Sequence, residues 1–279
     1  MKSSKIIALA LASGMLLTSV TACKKNNNTS EGTSGVLSSS AAASETLESI
    51  RISEDITTSV VTEESVETVT FSGEDQKYAN TFITNFAEQY FNVYPDNGPF
   101  DVTNASVEQV LTFAYFHIKI NSYRDFEPGK KGECNYATFT FEKASQVIGK
   151  YMSYFLKEEA CKNLPAPPES IDNIGFGPYY ADGKVWFSSG DGDTYRDIGI
   201  VDYAVYNSDG TVTLYFTVYN IDFDVFNSLD VDGVKKYYTL SPSEAANDST
   251  LKRRGTGIAN VDIGQSGKYS LRTYDVTLE

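Results

Sequence analysis

Apolar residues recur at helical spacing in three stretches of the chain. In the first stretch Phe82 and Phe86 lie one turn apart, and before the second either Asn104 or Ser106 can cap a helix start. The proline-rich segment 163–168 follows the third stretch. The pattern predicts three amphipathic helices, over 82–91, 107–118 and 147–155.

Beyond the prolines the period changes to two, which is typical of β-strands. The clearest strand carries threonine and tyrosine on one face, at Thr211, Thr213, Tyr215, Thr217 and Tyr219, and aliphatic or phenylalanine side chains on the other. The turn 207–210 contains Asp-Gly and joins this strand to 198–206 as a hairpin. A second hairpin joins 258–263 to 268–276, and 185–187 predicts a further strand.

Helices followed by antiparallel strands predict an α+β fold, with amphipathic helices packed on one face of a curved antiparallel sheet. No internal repeat or second spacer interrupts 72–279, so a single domain is expected there. The order of elements resembles cell-surface lipoproteins with a nuclear-transport-factor-like fold, in which the sheet wraps around the helices as a cone. That resemblance implies a cone-shaped pocket in catalytic members, although many members carry no catalysis.

The amino terminus has the order of an export signal. Lys2 and Lys5 precede an uncharged run, 6–20, which is shorter than the roughly 20 residues of a membrane span. Valine, threonine and alanine then stand directly before Cys23, which resembles the lipobox of bacterial lipoproteins. The resemblance implies cleavage before Cys23 and a diacylglycerol thioether on it, and 1–22 would be the signal peptide. The alternative is an ordinary secretory signal with an incidental cysteine.

Residues 23–71 are predicted to be a flexible linker. They are rich in Ser, Thr, Asn and Glu and have no apolar period, so they cannot bury enough surface to offset the entropy of ordering. With acyl chains on Cys23 the protein would be anchored on the outer face of the cytoplasmic membrane, with its domain held away from the lipid by this spacer.

Charge excludes one class of partner. The net charge is -14 and the isoelectric point is about 4.6, so the protein would repel a phosphate backbone, and nucleic acid is not expected as a partner. The one compact basic cluster, 252–254, lies in a Gly- and Ser-rich region and is interpreted as a solvated loop.

Few residues are suited to catalysis. His117 is the only histidine, and without a carboxylate that can be placed beside it we interpret it as structural. Cys134 and Cys161 remain after lipidation and can either form a disulfide, as extracytoplasmic cysteines do, or stay as free thiols. The sequence contains no phosphate loop, no Gly-x-Ser-x-Gly elbow and no Cys-x-x-Cys, so no catalytic residue and no cofactor is predicted.

Two acidic turns are candidate metal sites. Asp191, Asp193 and Asp197 begin like a calcium loop, but Tyr195 and Arg196 break the pattern. The segment 230–233 is a second short acidic turn. Both are interpreted as solvated turns, and no metal site is predicted.

The threonine–tyrosine face is the main candidate for recognition. If the aliphatic face meets the helices, Thr213, Tyr215, Thr217 and Tyr219 are left outside, and tyrosine combines apolar area with a polar group. Cross-strand aromatic pairing on a solvent-facing sheet is the alternative without a partner. The partner could be a surface protein, a peptide, a glycan or a second copy of the chain.

The function hypothesis is a lipid-anchored binding or interaction module with an unknown ligand. One alternative is a small-molecule enzyme or ligand binder that uses a cone-shaped pocket, with a buried carboxyl group as its base. The other is an envelope structural protein that associates with itself.

Overall fold

The three predicted amphipathic helices are present in the computed structural model, which describes residues 68–89, 98–188, 196–264 and 267–279. They are α1 (Gly73–Ala87), α2 (Val107–Asn121) and α3 (Phe141–Tyr151). Ser106 starts α2 with a full capping box, because its hydroxyl accepts from the Gln109 amide at 3.2 Å and its amide donates to the Gln109 side chain at 2.9 Å. Thr140 caps the start of α3, because its hydroxyl accepts from the Lys143 amide at 3.2 Å.

Helix α3 ends earlier than its apolar spacing predicts. The backbone turns extended at Met152, which forms an isolated parallel bridge with Leu271. The amide of Ser153 then donates to the Leu271 carbonyl at 3.0 Å. The predicted continuation to Phe155 is therefore wrong, and that side chain is 80% exposed.

The strands form two antiparallel sheets rather than one. The six-stranded sheet has the order β1-β7-β8-β9-β10-β2 and the four-stranded sheet the order β3-β4-β6-β5. The six-stranded sheet contains β1 (Thr68–Val69), β2 (Phe100–Asp101), β7 (Asp197–Tyr206), β8 (Thr211–Ile221), β9 (Leu251–Ile263) and β10 (Tyr269–Leu278). The four-stranded sheet contains β3 (Glu127–Lys131), β4 (Cys134–Thr140), β5 (Tyr179–Ala181) and β6 (Lys184–Ser188).

Both predicted hairpins are confirmed. The turn after β7 closes with a hydrogen bond from the Gly210 amide to the Asn207 carbonyl at 3.1 Å, and Gly210 has a φ of 83°, which suits glycine. At the other hairpin the Gly267 amide donates to the Gly264 carbonyl at 2.8 Å. The strand predicted over 185–187 is confirmed as β6.

One large core joins the three helices to the inner faces of both sheets. The buried residues of β8 in this core are Val212, Leu214, Phe216 and Val218, the aliphatic set of the alternating pattern. Stacked aromatic pairs such as Phe86–Phe113 and Phe216–Tyr274 contribute to its packing. All described residues belong to one compact unit, and the α+β class is confirmed.

A second core lies on the outer face of the six-stranded sheet, at one end. The short helices α5 (Phe223–Ser228), α6 (Val231–Lys235) and α7 (Pro242–Asn247) follow β8, with a 3₁₀ turn at 236–239 between the last two. Tyr237, Tyr238 and Ala245 from this segment pack against Ile198 and Tyr219. The helices therefore occupy part of the outer face as well as the inner one.

The remaining short elements connect these layers. They are α4 (Glu158–Cys161) and 3₁₀ turns at Tyr123–Asp125 and Ile171–Asn173. Within the described ranges, no helix has the length and apolar character needed to cross a bilayer.

Candidate functional site

A stripe of polar side chains on α1 faces the edge of β7. Gln76, Asn80, Thr84 and Glu88 recur every fourth residue and therefore share one side of the helix. The first three hydrogen-bond the β7 backbone, with Gln76 donating to the Val201 carbonyl at 2.8 Å. Because a strand edge carries unpaired amides and carbonyls, these side chains replace a neighbouring strand.

Asn80 is the centre of this edge contact. Its Oδ1 accepts from the Val201 amide and from Gln76, both at 2.8 Å. Its Nδ2 donates to the carbonyls of Tyr238 and Leu240, at 3.0 and 2.9 Å. One fully buried amide thus joins α1, β7 and the 3₁₀ turn at 236–239.

Glu88, the fourth member of the stripe, hydrogen-bonds no strand among the described residues and instead lines a cleft. The cleft lies where the ends of α1 and α2 meet the 3₁₀ turn at 236–239, and its lining residues are Thr81, Thr84, Asn85, Glu88, Asn121 and Tyr238. Only 7% of Glu88 is exposed. A buried carboxyl group is costly to ionise unless it has partners, so its surroundings decide its state.

Asn121 connects Glu88 to His117. The Asn121 Nδ2 lies 3.4 Å from Glu88 Oε1 and 3.3 Å from His117 Nδ1. Since an amide nitrogen only donates, a hydrogen bond between Asn121 and His117 requires the neutral tautomer of the imidazole whose proton is on Nε2. The ring packs between Phe113 and Tyr151, at centroid distances of 6.0 and 4.5 Å.

Burial shifts the pKa values of Glu88 and His117, the two ionisable groups on either side of Asn121, in opposite directions. Burial raises the pKa of Glu88 to about 8, and the Asn121 hydrogen bond offsets only part of that effect. Burial lowers the pKa of His117 to about 3, and Lys150 and Lys143 lower it further. At neutral pH the carboxyl group is therefore mostly protonated and the imidazole is neutral.

The cleft is small and open to solvent. Its empty volume is about 180 Å³, much of it continuous with the solvent, and the enclosed part has room for about one water-sized group. Small-molecule pockets usually have roughly 300–1,000 Å³. This cleft, formed by described residues, thus has room for a small group and not for a whole metabolite.

His117 was expected to be structural, and the structure places it inside the core beside Asn121. The carboxylate that could not be located from the sequence is Glu88, which lies beyond Asn121 and does not contact the imidazole directly. In the sequence Glu88 is the fourth residue of the polar repeat that begins at Gln76. The apolar period of 82–91 predicts only the buried apolar side of the helix, so it does not indicate this polar residue.

The predicted recognition face is only half open. Tyr219 is buried in the second core, and Thr217 is buried with its hydroxyl donating to Asp202 at 2.9 Å. The expectation that all four residues face outward is corrected at these two positions. The segment that contains α5–α7 packs over Tyr219, and Thr217 is the register partner of Ile200, which belongs to the same second core. The apolar residues of that segment, from Val225 to Leu240, were the missed signal, since they needed a surface on which to be buried.

Thr213 and Tyr215 remain at the surface, in two cross-strand rows. Tyr215 stacks on Tyr203 of β7 with a centroid distance of 4.5 Å and an interplanar angle of 14°. Across β9 its register partner is Ile258, which is 48% exposed. In the next row Thr213 stands between Val205 and Asn260. We call this half-exposed region, formed by these six residues, the open face.

The two domain cysteines do not form the disulfide considered for them. Cys134 and Cys161 are both buried and free. Cys161 lies in the large core, whereas Cys134 belongs to a separate cluster with Tyr136, Tyr179 and Trp186 on the four-stranded sheet. Each thiol thus serves as a small apolar group in a different cluster.

The acidic turns have local roles where they are described. Asp230 caps α6 by accepting from the Gly233 amide at 2.8 Å. Asp197 is 1% exposed within β7, where Asn220 donates to it, and Arg254 approaches it at 3.8 Å. Asp191 and Asp193 lie outside the described residues. In the described ranges, no group of three or more His, Cys, Asp or Glu side chains is placed to hold a metal ion.

The predicted signal peptide, Cys23 and almost all of the predicted linker also lie outside the described residues. Comparison of the chain with protein-family models, curated proteins and solved structures finds no match. The resemblances to the lipobox and to the nuclear-transport-factor-like fold therefore stay predictions.

Proposed function

We propose that this protein is a lipid-anchored extracytoplasmic binding module that presents the open face to a macromolecular partner. The anchor in this proposal rests on the charged, uncharged and small-residue order that ends at Cys23. The open face carries the binding part of the proposal, because it combines a stacked tyrosine pair, an exposed isoleucine and hydrogen-bonding side chains on neighbouring strands.

The chemistry of the open face suits a protein, peptide or glycan. Tyrosine and isoleucine supply apolar area, and the stacked rings of Tyr203 and Tyr215 lose little conformational freedom when a partner covers them. Thr213 and Asn260 supply polar groups at the same level of the sheet.

Site-specific photocross-linking in cells tests both parts of the proposal. A photoreactive phenylalanine analogue replaces Tyr215 on the open face or, as a matched control, Tyr123, which is 52% exposed on a different element. We expect a discrete cross-linked species from position 215 and none from position 123. We also expect the unmodified protein to sediment with membranes and the Cys23→Ala variant to stay in the soluble fraction.

The outcomes separate the alternatives. A cross-linked species of twice the chain mass would identify a second copy as the partner and favour self-association in the envelope. Equal cross-linking from both positions, or none from position 215, would contradict the open face as the binding surface. Sedimentation of the Cys23→Ala variant with membranes would contradict the anchor.

A further inference from the structure

We propose that the cleft at Glu88 is a binding site for a primary ammonium group, supplied by a small amine or by a lysine side chain of a partner. The site is separate from the open face, so the proposal does not depend on the proposed function. It rests on the hydrogen-bonding atoms of the cleft, on its size and on the position of its one carboxyl group.

Most donors around the cleft are already engaged within the protein. The Thr81 hydroxyl donates to the Lys77 carbonyl at 2.7 Å, and Asn85 Nδ2 donates to the Thr81 carbonyl at 2.6 Å. The two protons of Asn121 Nδ2 are directed to Glu88 and His117. Once Glu88 is ionised, the cleft therefore offers a ligand mainly acceptors, and the Tyr238 hydroxyl can accept as well as donate.

One carboxyl group and two side-chain amides supply the acceptors. Glu88, Asn85 and Asn121 all line the cleft, and within the described residues the side-chain hydrogen bonds of both asparagines use Nδ2 and leave Oδ1 to accept. An ammonium group has three donors and no acceptor, which matches this set. It is also close to water in size, and the enclosed space has room for about one such group.

Other ligand classes fit the cleft less well. A calcium ion takes six to eight oxygen ligands, usually with several carboxylates, whereas this cleft has one carboxyl group. An anion would approach a protein of net charge -14, which repels it. The same net charge raises the local concentration of cations around the molecule.

The protonation of Glu88 couples binding to pH. The other titratable groups near its carboxyl are Tyr238, across the cleft, and His117, behind Asn121. Both are neutral at pH 7, because burial raises the pKa of Tyr238 and lowers that of His117. A bound cation would favour ionised Glu88, so binding below pH 8 must release the proton that Glu88 carries.

Proton release during a titration measures this coupling directly. The full chain, purified in detergent in weakly buffered solution at pH 7, is titrated with methylammonium chloride, with Nα-acetyl-lysine methylamide and with tetramethylammonium chloride at constant ionic strength. We expect methylammonium to release nearly one proton per protein in a saturable way, with an affinity about tenfold higher at pH 7 than at pH 6. Tetramethylammonium has no N–H donor and is expected to release none.

Two variants provide the controls. Glu88→Gln keeps the size of the side chain and removes its charge, so proton release should disappear while the thermal unfolding curve still shows a folded protein. Glu133→Gln removes an exposed carboxyl group in the β3–β4 turn and should behave as the unmodified protein.

The lysine derivative identifies the source of the ammonium group. Release by both ligands indicates a site that a partner's lysine can enter, whereas release by methylammonium alone indicates a site for free small amines. The proposal is overturned if neither ligand gives saturable release, if Glu88→Gln responds as the unmodified protein does, or if tetramethylammonium is equally effective.

Discussion

Glu88 and His117 make the folding stability of the domain depend on pH in opposite directions. The folded pKa of Glu88 is about 8 against an ordinary value of 4.5, so between these values the native state holds a proton that the unfolded state has lost. Stability from this group therefore falls as pH rises from about 4.5 to 8. His117 acts in the other direction, because its lowered pKa makes stability fall as pH drops from 6.5 towards 3.

At the residue scale we predict that Glu88→Gln stabilises the protein more at pH 8 than at pH 5. The difference in unfolding free energy between variant and unmodified protein should grow with pH by up to about 1.4 kcal/mol per pH unit. Urea unfolding followed by circular dichroism at several pH values measures it. Glu133→Gln should give a curve parallel to that of the unmodified protein, and parallel curves for Glu88→Gln would contradict the prediction.

At the scale of elements, α1 combines two kinds of packing. Its apolar side chains Phe82, Ile83 and Phe86 enter the large core, while its polar stripe satisfies the edge of β7. The helix approaches the strand closely because Gly199 has no side chain, and a Cβ there would lie 2.3 Å from Ile83 Cγ2. The edge of a sheet is thus protected by a helix in place of a further strand.

We predict that Asn80→Ala destabilises the protein by about 3 kcal/mol or more, because buried amides and carbonyls on three elements lose their partner. Asn173→Ala, at an exposed asparagine, is the matched control and should change stability by less than about 0.5 kcal/mol. Urea unfolding gives both values. A small effect of Asn80→Ala would show that water or a rearranged side chain replaces these hydrogen bonds.

At the scale of the whole molecule, a count of reactive thiols tests both the lipid on Cys23 and the oxidation state of Cys134 and Cys161. Cys134 and Cys161 are 2% and 0% exposed, and burial raises the pKa of Cys161 to about 11, so neither is expected to react quickly in the native state. If Cys23 carries a thioether, two thiols should react with a thiol reagent after denaturation without reductant.

Other counts would be equally informative. Three reactive thiols would show that Cys23 is not modified, and no reactive thiol before reduction would show that the two domain cysteines form a disulfide. A Cys23→Ala variant is the control and should also give two thiols after denaturation, because only the domain cysteines remain.

The sequence by itself determined the features that depend on residues close together along the chain. Helical and strand periods, the Ser106 cap and the Asp-Gly turn use neighbouring residues, so α2, β8 and both hairpins could be predicted. Only the tertiary structure decided which surfaces are covered and which polar residues meet. Burial of Tyr219 and the meeting of Glu88, Asn121 and Tyr238 join parts of the chain far apart in sequence, and no local period encodes such contacts.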